Sequence, residues 1–314
     1  MPKTNLPDVQ RALVLQGGGA LGAYEAGVFQ VLYNSIKKDI KNQDENIFDV
    51  IAGTSIGAIN ASFLVSYVIK KRKEGTSVLE SWQGSPEELE KFWKLSLSSN
   101  PSLIRWWPFY WDQNAWTDAW NSLNNTNRDI ATGEAARRYY SAKEFIINGC
   151  PNVFSSALPK FDPKFLDNYV LPYNLIPNIW YRYNNYPLKE TIKRLIHFPL
   201  ATNLDEKQPR LLLVSVDAQE GETVTFDSYM KPEGIRKSEY GDYAYDDRKK
   251  SGIYEHTIKY DKGIMPDHVM ASASVPEHYD YTLVPMDYDY ANTDTNTEEQ
   301  NDLLGYRRFW DGVY

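Results

Sequence analysis

Residues 53–57, Gly53-Thr54-Ser55-Ile56-Gly57, place a serine between two glycines in the pattern G-x-S-x-G. A serine hydroxyl can attack an acyl carbon and hold it covalently when a neighbouring base takes its proton. The run "FDVIAG" before it reads as a short strand, and "TSIGAINASFLVSYVIKK" reads as a helix beginning at it. In a strand–turn–helix setting this pattern marks a sharp turn that lifts a nucleophile, here Ser55, clear of the sheet. Gly53 and Gly57 are then the small flanking residues that keep the neighbouring chain from clashing.

A second glycine cluster lies upstream in "LVLQGGGALGAYEAGVFQVL", residues 13–32. Gly17, Gly19 and Gly22 fit G-x-G-x-x-G, the dinucleotide fingerprint, but that reading needs an acidic residue at the end of the second strand. Asp49 stands at the start of that strand instead, and the strand runs directly into the Ser55 turn. Backbone N–H groups at a glycine-rich turn also stabilise the oxyanion of acyl transfer, by roughly 3–4 kcal/mol per donor. The loop "QGGGALG" is therefore expected to work as an oxyanion hole beside Ser55.

The base is sought first among the histidines, His197, His256, His268 and His278, and none stands in a site-like sequence context. Asp311 stands at the end of the aromatic strand in "YRRFWDGVY" and precedes Gly312, where a carboxylate can project toward the edge of a site. A carboxylate serves as base when it hydrogen-bonds the serine directly.

These residues need a scaffold. "RALVLQ" reads as a buried strand, and Leu21, Tyr24, Val28, Val31 and Leu32 recur at helical spacing after it. Strand–turn–helix then repeats through residue 70, the rhythm of a mostly parallel sheet covered by helices. A helix is expected over 86–97, another in "LKETIKRLIHF", and two strands in "RLLLVSVDAQEGETVTFDS" joined near Gly221. "KPEGIRKSEYGDYAYDDRKKSG" reads as a surface loop, "MPDHVMASASVP" as a short helix stopped by Pro276, and "DYDYANTDTNTEEQND" as a solvated loop. Residues 100–185, dense in Trp, Tyr and Pro, read as an insertion or cap.

The formal net charge of −8 argues against a nucleic-acid partner. The basic run "KKRK" at 70–73 reads as a solvated helix end. The single cysteine, Cys150, leaves no disulfide framework within the chain and suits a reducing compartment. No apolar run is long enough to span a bilayer, and the polar start lacks a signal-peptide core. The expectation is a cytoplasmic protein, at most peripheral at a membrane. Oligomeric state is not legible.

The chain resembles the patatin-like phospholipases, in "GGGALG", "GTSIG" and "DGV" in that order, and in "LEKFW", "PLKETIKRLI" and "PDHVMASASVPEHY". Val313 stands where that family's third motif carries Gly or Ala, and Leu21 where many relatives carry Arg or Lys. The resemblance implies a three-layer α/β/α sandwich with a mostly parallel central sheet. It implies a Ser–Asp dyad, Ser55 as nucleophile and Asp311 as base, with an oxyanion hole at Gly17, Gly18 and Gly19 and no metal or organic cofactor, in a carboxylic ester hydrolase of phospholipase A or lipid acyl hydrolase type. A lipid is then the substrate, and a catalytically weak lipid-binding or scaffold protein of the same fold is the alternative. Members of the family continue past the aspartate, so the expectation is one domain over 1–314, cut short at its C-terminus.

Overall fold

The computed structural model describes residues 9–97, 150, 152–156, 183–241, 257–276, 278–287 and 305–312. Strand β1 is Ala12–Leu15, followed by a 3₁₀ turn Gly19–Leu21 and helix α1, Gly22–Asp39. Strand β2, Val50–Thr54, leads into α2, Ile56–Lys73, and α3 is Ser85–Lys91. Two short strands, β3 (Ser155–Ser156) and β4 (Tyr183–Asn184), pair with each other, and α4 is Tyr186–Leu195. The remaining elements are β5 (Arg210–Asp217), β6 (Glu222–Asp227), β7 (Glu239–Tyr240), α5 (Pro266–Ala273), β8 (Thr282–Pro285) and β9 (Tyr306–Asp311).

The architecture is an α/β sandwich with a mixed central sheet. Strands β1, β2 and β5 run parallel, and antiparallel partners join the far part of β5. One edge of β5 carries β6 along Leu212–Asp217. The opposite edge is shared: β2 covers Arg210–Val214, and β9 takes over at Ser215 from the other direction. So β2 and β9 meet end to end against one strand, and β8 pairs with β9 on its outer side. That meeting point is where the two expected site residues lie.

Helix α2 explains why the Ser55 turn is rigid. Nearly every residue from Gly57 to Ile69 is buried, because α1, α3, α5 and the sheet surround the helix. A helix apolar on all sides is stable only when so enclosed. Its last turn is the basic run Lys70–Lys73, which suits the negative end of the helix dipole.

Helix α1 differs from its sequence pattern. The recurring residues Leu21, Tyr24 and Val31 are 66%, 73% and 69% exposed, and Val28 and Leu32 also face outward. The packed face is Gly22, Ala26, Phe29 and Tyr33. The helix is apolar on two neighbouring faces, and the aromatic one wins the core: Phe29 lies against Phe48 and Tyr33. The expected helix over 86–97 changes geometry midway, with a π-helical turn over Phe92–Leu97. The polar segment expected as a loop after β6 folds back as β7 onto β6. Most of the expected 100–185 insertion, and the acidic loop from residue 288 to 304, lie outside the described residues.

Candidate active site

The Ser55 turn is built on close backbone approach. Ser55 has φ 54° and ψ −127°, and with Lys207 it is one of two non-glycine residues of positive φ among the described residues. Such a conformation costs on the order of 1–3 kcal/mol and persists only where the surroundings enforce it. The surroundings do so here. A Cβ on Gly57 would lie 2.3 Å from the Leu15 carbonyl oxygen, so the first turn of α2 rests directly on the end of β1. A Cβ on Gly53 would lie 2.4 Å from the Gly57 carbonyl oxygen. The Ser55 N–H, beyond the last rung of β2, donates to Ser272 Oγ at 3.0 Å.

Asp311 arrives on β9. Thr54 pairs with Val214 and Asp311 with Ser215, so the two chain ends occupy successive positions along one edge of β5. A Cβ on Gly312 would lie 2.7 Å from both Thr54 Oγ1 and the Val214 carbonyl oxygen. The residue after the aspartate thus touches the residue before the serine, and only glycine fits. The Asp311 N–H donates to the Ser274 carbonyl at 2.9 Å. Ser55 and Asp311 are 5% and 1% exposed, which keeps bulk water from competing for their hydroxyl and carboxylate.

The glycine-rich turn has the opposite character. Gly18 and Gly19 have φ of 147° and 56°, are exposed, and no atom lies within 4 Å of a Cβ built on Gly19. The N–H groups of Gly17, Gly18 and Gly19 meet no acceptor among the described residues. The turn is nonetheless anchored at both ends. Glu25 Oε1 accepts the Gln16 N–H at 2.8 Å, and Glu25 Oε2 accepts from Asn60 Nδ2 at 3.1 Å. Asn60 Nδ2 also donates to the Gly22 carbonyl, and its Oδ1 accepts the Trp93 indole N–H at 2.9 Å. Burial pushes the Glu25 carboxyl above its ordinary value, while the bonds from Asn60 and Gln16 pull it back. Free N–H groups on an anchored loop, one strand away from a serine, can receive a developing negative charge.

The histidines stand elsewhere. His197 and His278 are exposed, and His256 lies outside the described residues. His268 is fully buried in α5 between Phe226 and Tyr260, with ring centroids 4.7 Å from each. Burial pushes its pKa down to about 4, Asp267 pulling the other way, and its Nδ1 accepts the Met265 N–H at 2.8 Å. That bond requires an unprotonated ring nitrogen. No group of three or more His, Cys, Asp or Glu among the described residues is placed to hold a metal ion. No helix among them is long and apolar enough to cross a membrane.

The sequence pattern did not single out Glu25 or Asn60, and Ser272 and Ser274 stood in it only as members of the block "PDHVMASASVPEHY", with no role attached. Asn60 carried one usable signal, an amide in the second turn of a helix whose first half is mostly apolar. Glu25 carried none, because an acidic residue in the first turn of a helix is ordinary.

A family model described as patatin-like phospholipase matches residues 13–313, a span that contains both turns and Asp311. Among curated proteins none matches. Among solved structures, VipD from Legionella pneumophila is similar at 14% identity and a TM-score of 0.29, with 96% of this chain and 46% of that one covered. The chain therefore spans just under half the length of that protein.

Proposed function

Because the chain belongs to the patatin-like phospholipase family, we propose that it is a serine lipid acyl hydrolase working through Ser55 and Asp311. The observation that carries the reading is the meeting of β2 and β9 on one edge of β5, with Ser55 and Asp311 at its two sides. In this reading Asp311 takes the Ser55 hydroxyl proton, and Oγ attacks the carbonyl carbon of a fatty-acyl ester. The N–H groups of Gly17, Gly18 and Gly19 hold the oxyanion. Collapse of the tetrahedral species returns the proton to the departing alcohol or lysolipid and leaves the acyl group on Ser55. Asp311 then deprotonates a water molecule, which releases the fatty acid and restores the serine.

The substrate would arrive from a lipid surface. The exposed stripe of α1 starts at Leu21, against Gly18, and runs through Tyr24, Val28 and Val31. It ends near the exposed Lys38, whose charge complements lipid phosphates. An apolar stripe with cationic residues at its border is the pattern of a helix that lies in a bilayer interface. The test is release of fatty acid from phospholipid vesicles, followed by mass spectrometry, with Ser55→Ala alongside. Ser55-dependent release supports hydrolysis. Vesicle binding with no release from either protein would reduce the reading to a lipid-binding protein of the same fold.

A further inference from the structure

The C-terminal end of α5 touches both halves of the site through side chain and backbone in turn. We propose that Ser272 and Ser274 are positioning residues that fix Ser55 and Asp311 relative to each other, an inference that rests on the Ser–Asp reading above.

Thr54 is the last residue of β2 in the ladder with β5, and the next rung belongs to Asp311. The Ser55 N–H therefore has no strand partner, at a residue whose backbone is already strained. Ser272 Oγ accepts that N–H at 3.0 Å and donates its own hydrogen bond to the Val214 carbonyl at 2.5 Å. Val214 is the β5 residue paired with Thr54, so Ser272 ties the nucleophile turn to the rung beneath it. Two residues later α5 has ended, and Ser274, at φ −89° and ψ 86°, turns its carbonyl to the Asp311 N–H at 2.9 Å.

Ser274 is itself held. Its Oγ donates to the Met270 carbonyl at 2.9 Å, and Thr282 Oγ1 and Asn185 Nδ2 lie at 2.8 and 2.9 Å from it. Immediately before Ser272, the Ala271 carbonyl lies 2.8 Å from Ser215 Oγ, which is also 2.7 Å from the Trp310 carbonyl. Ser215 is the residue paired with Asp311. Ser272, Ser274 and Ser215 are all fully buried, so these bonds do not exchange with water. Neither serine of α5 needs to touch substrate. They act by setting the separation of two groups whose proton transfer depends on it, and a misplacement of about 1 Å costs about a hundredfold in rate.

The test compares Ser272→Ala, Ser272→Cys and Ser272→Thr with wild type, Ser55→Ala and Ser66→Ala. Ser66 is a matched control, a buried serine on α2 whose Oγ accepts the His197 N–H at 2.9 Å, in a different part of the fold. The readouts are kcat and KM for fatty-ester hydrolysis, the rate of labelling by a fluorophosphonate, and the thermal unfolding midpoint. Loss of the Ser272 hydroxyl should lower kcat and labelling rate about tenfold to a hundredfold with KM within about twofold. Ser272→Thr should recover most of the rate, and Ser66→Ala should shift only the midpoint. If Ser272→Ala does not fold, the near-isosteric Ser272→Cys carries the same comparison. A folded Ser272→Ala or Ser272→Cys protein with wild-type kcat overturns the inference alone. Hydrolysis and labelling that persist in Ser55→Ala overturn the underlying reading with it.

Discussion

The two strand-to-helix turns of the site look alike in sequence and do opposite things with their glycines. At the Ser55 turn, glycine is needed because backbone comes within 2.3–2.4 Å of where a Cβ would be. At the Gly17–Gly19 turn, Gly19 has open space around it, and glycine is needed for the backbone angle and for access. One turn is buried and its N–H is held, so the proposed nucleophile Ser55 stays put. The other is exposed and its N–H groups are free, so they can serve a charge that exists only during reaction. Rigidity and availability are thus assigned to adjacent loops rather than asked of a single one.

The largest expected effect tests whether the buried turn carries the chemistry at all. Ser55→Ala and Asp311→Asn should each lower kcat/KM for a fatty ester by on the order of 10⁴-fold or more, with the far-UV spectrum unchanged.

Acid should next weaken the helix that backs the buried turn. His268 has a folded pKa of about 4 against an unfolded value of 6.5. Between those values the unfolded chain binds the extra proton. Stability is then fully present above about pH 6.5 and falls toward pH 4, by about 3 kcal/mol in all. Urea midpoints measured across that window check this. His268→Asn, which keeps an acceptor for the Met265 N–H, should flatten the slope.

Substitutions in the glycines should then separate the turns. Gly57→Ala should cost about 1–3 kcal/mol, because backbone cannot move aside cheaply. Gly19→Ala should cost about 1 kcal/mol, from the positive φ alone, while lowering kcat. Equal losses of stability in denaturant unfolding would break the contrast.

The smallest effect concerns the anchor of the open turn. Glu25→Ala frees the Gln16 N–H and one Asn60 bond. We expect kcat to fall about tenfold through loss of loop position, with KM little changed. A change confined to KM would mean that Glu25 governs binding instead.

Much of this was legible in the chain because the constraints were local. Ser55 and its flanking glycines, the order of strands and helices, and the Asp311-Gly312 pair are short patterns enforced by backbone geometry. The α/β fold followed from that alternation. What was not legible depended on tertiary competition. Leu21, Tyr24, Val28 and Val31 have the spacing of a core face, yet Phe29 and Tyr33 on the next face pack inward, because spacing does not say which of two apolar faces finds a partner. Glu25 and Asn60 meet across 35 residues, and Ser272 reaches Ser55 across 217, so no local pattern could pair them. The fold-back of β7 rested on pairing with β6 rather than on its own polar sequence.

The most direct measurement of the central claim is covalent capture of the nucleophile. A fluorophosphonate would be reacted with the wild-type chain, Ser55→Ala and Asp311→Asn, and the adduct located by peptide mass spectrometry. One adduct is expected, on Ser55, absent in Ser55→Ala and formed far more slowly in Asp311→Asn. An adduct on another residue, or labelling of Ser55 at the same rate without the Asp311 carboxylate, would contradict the Ser–Asp mechanism.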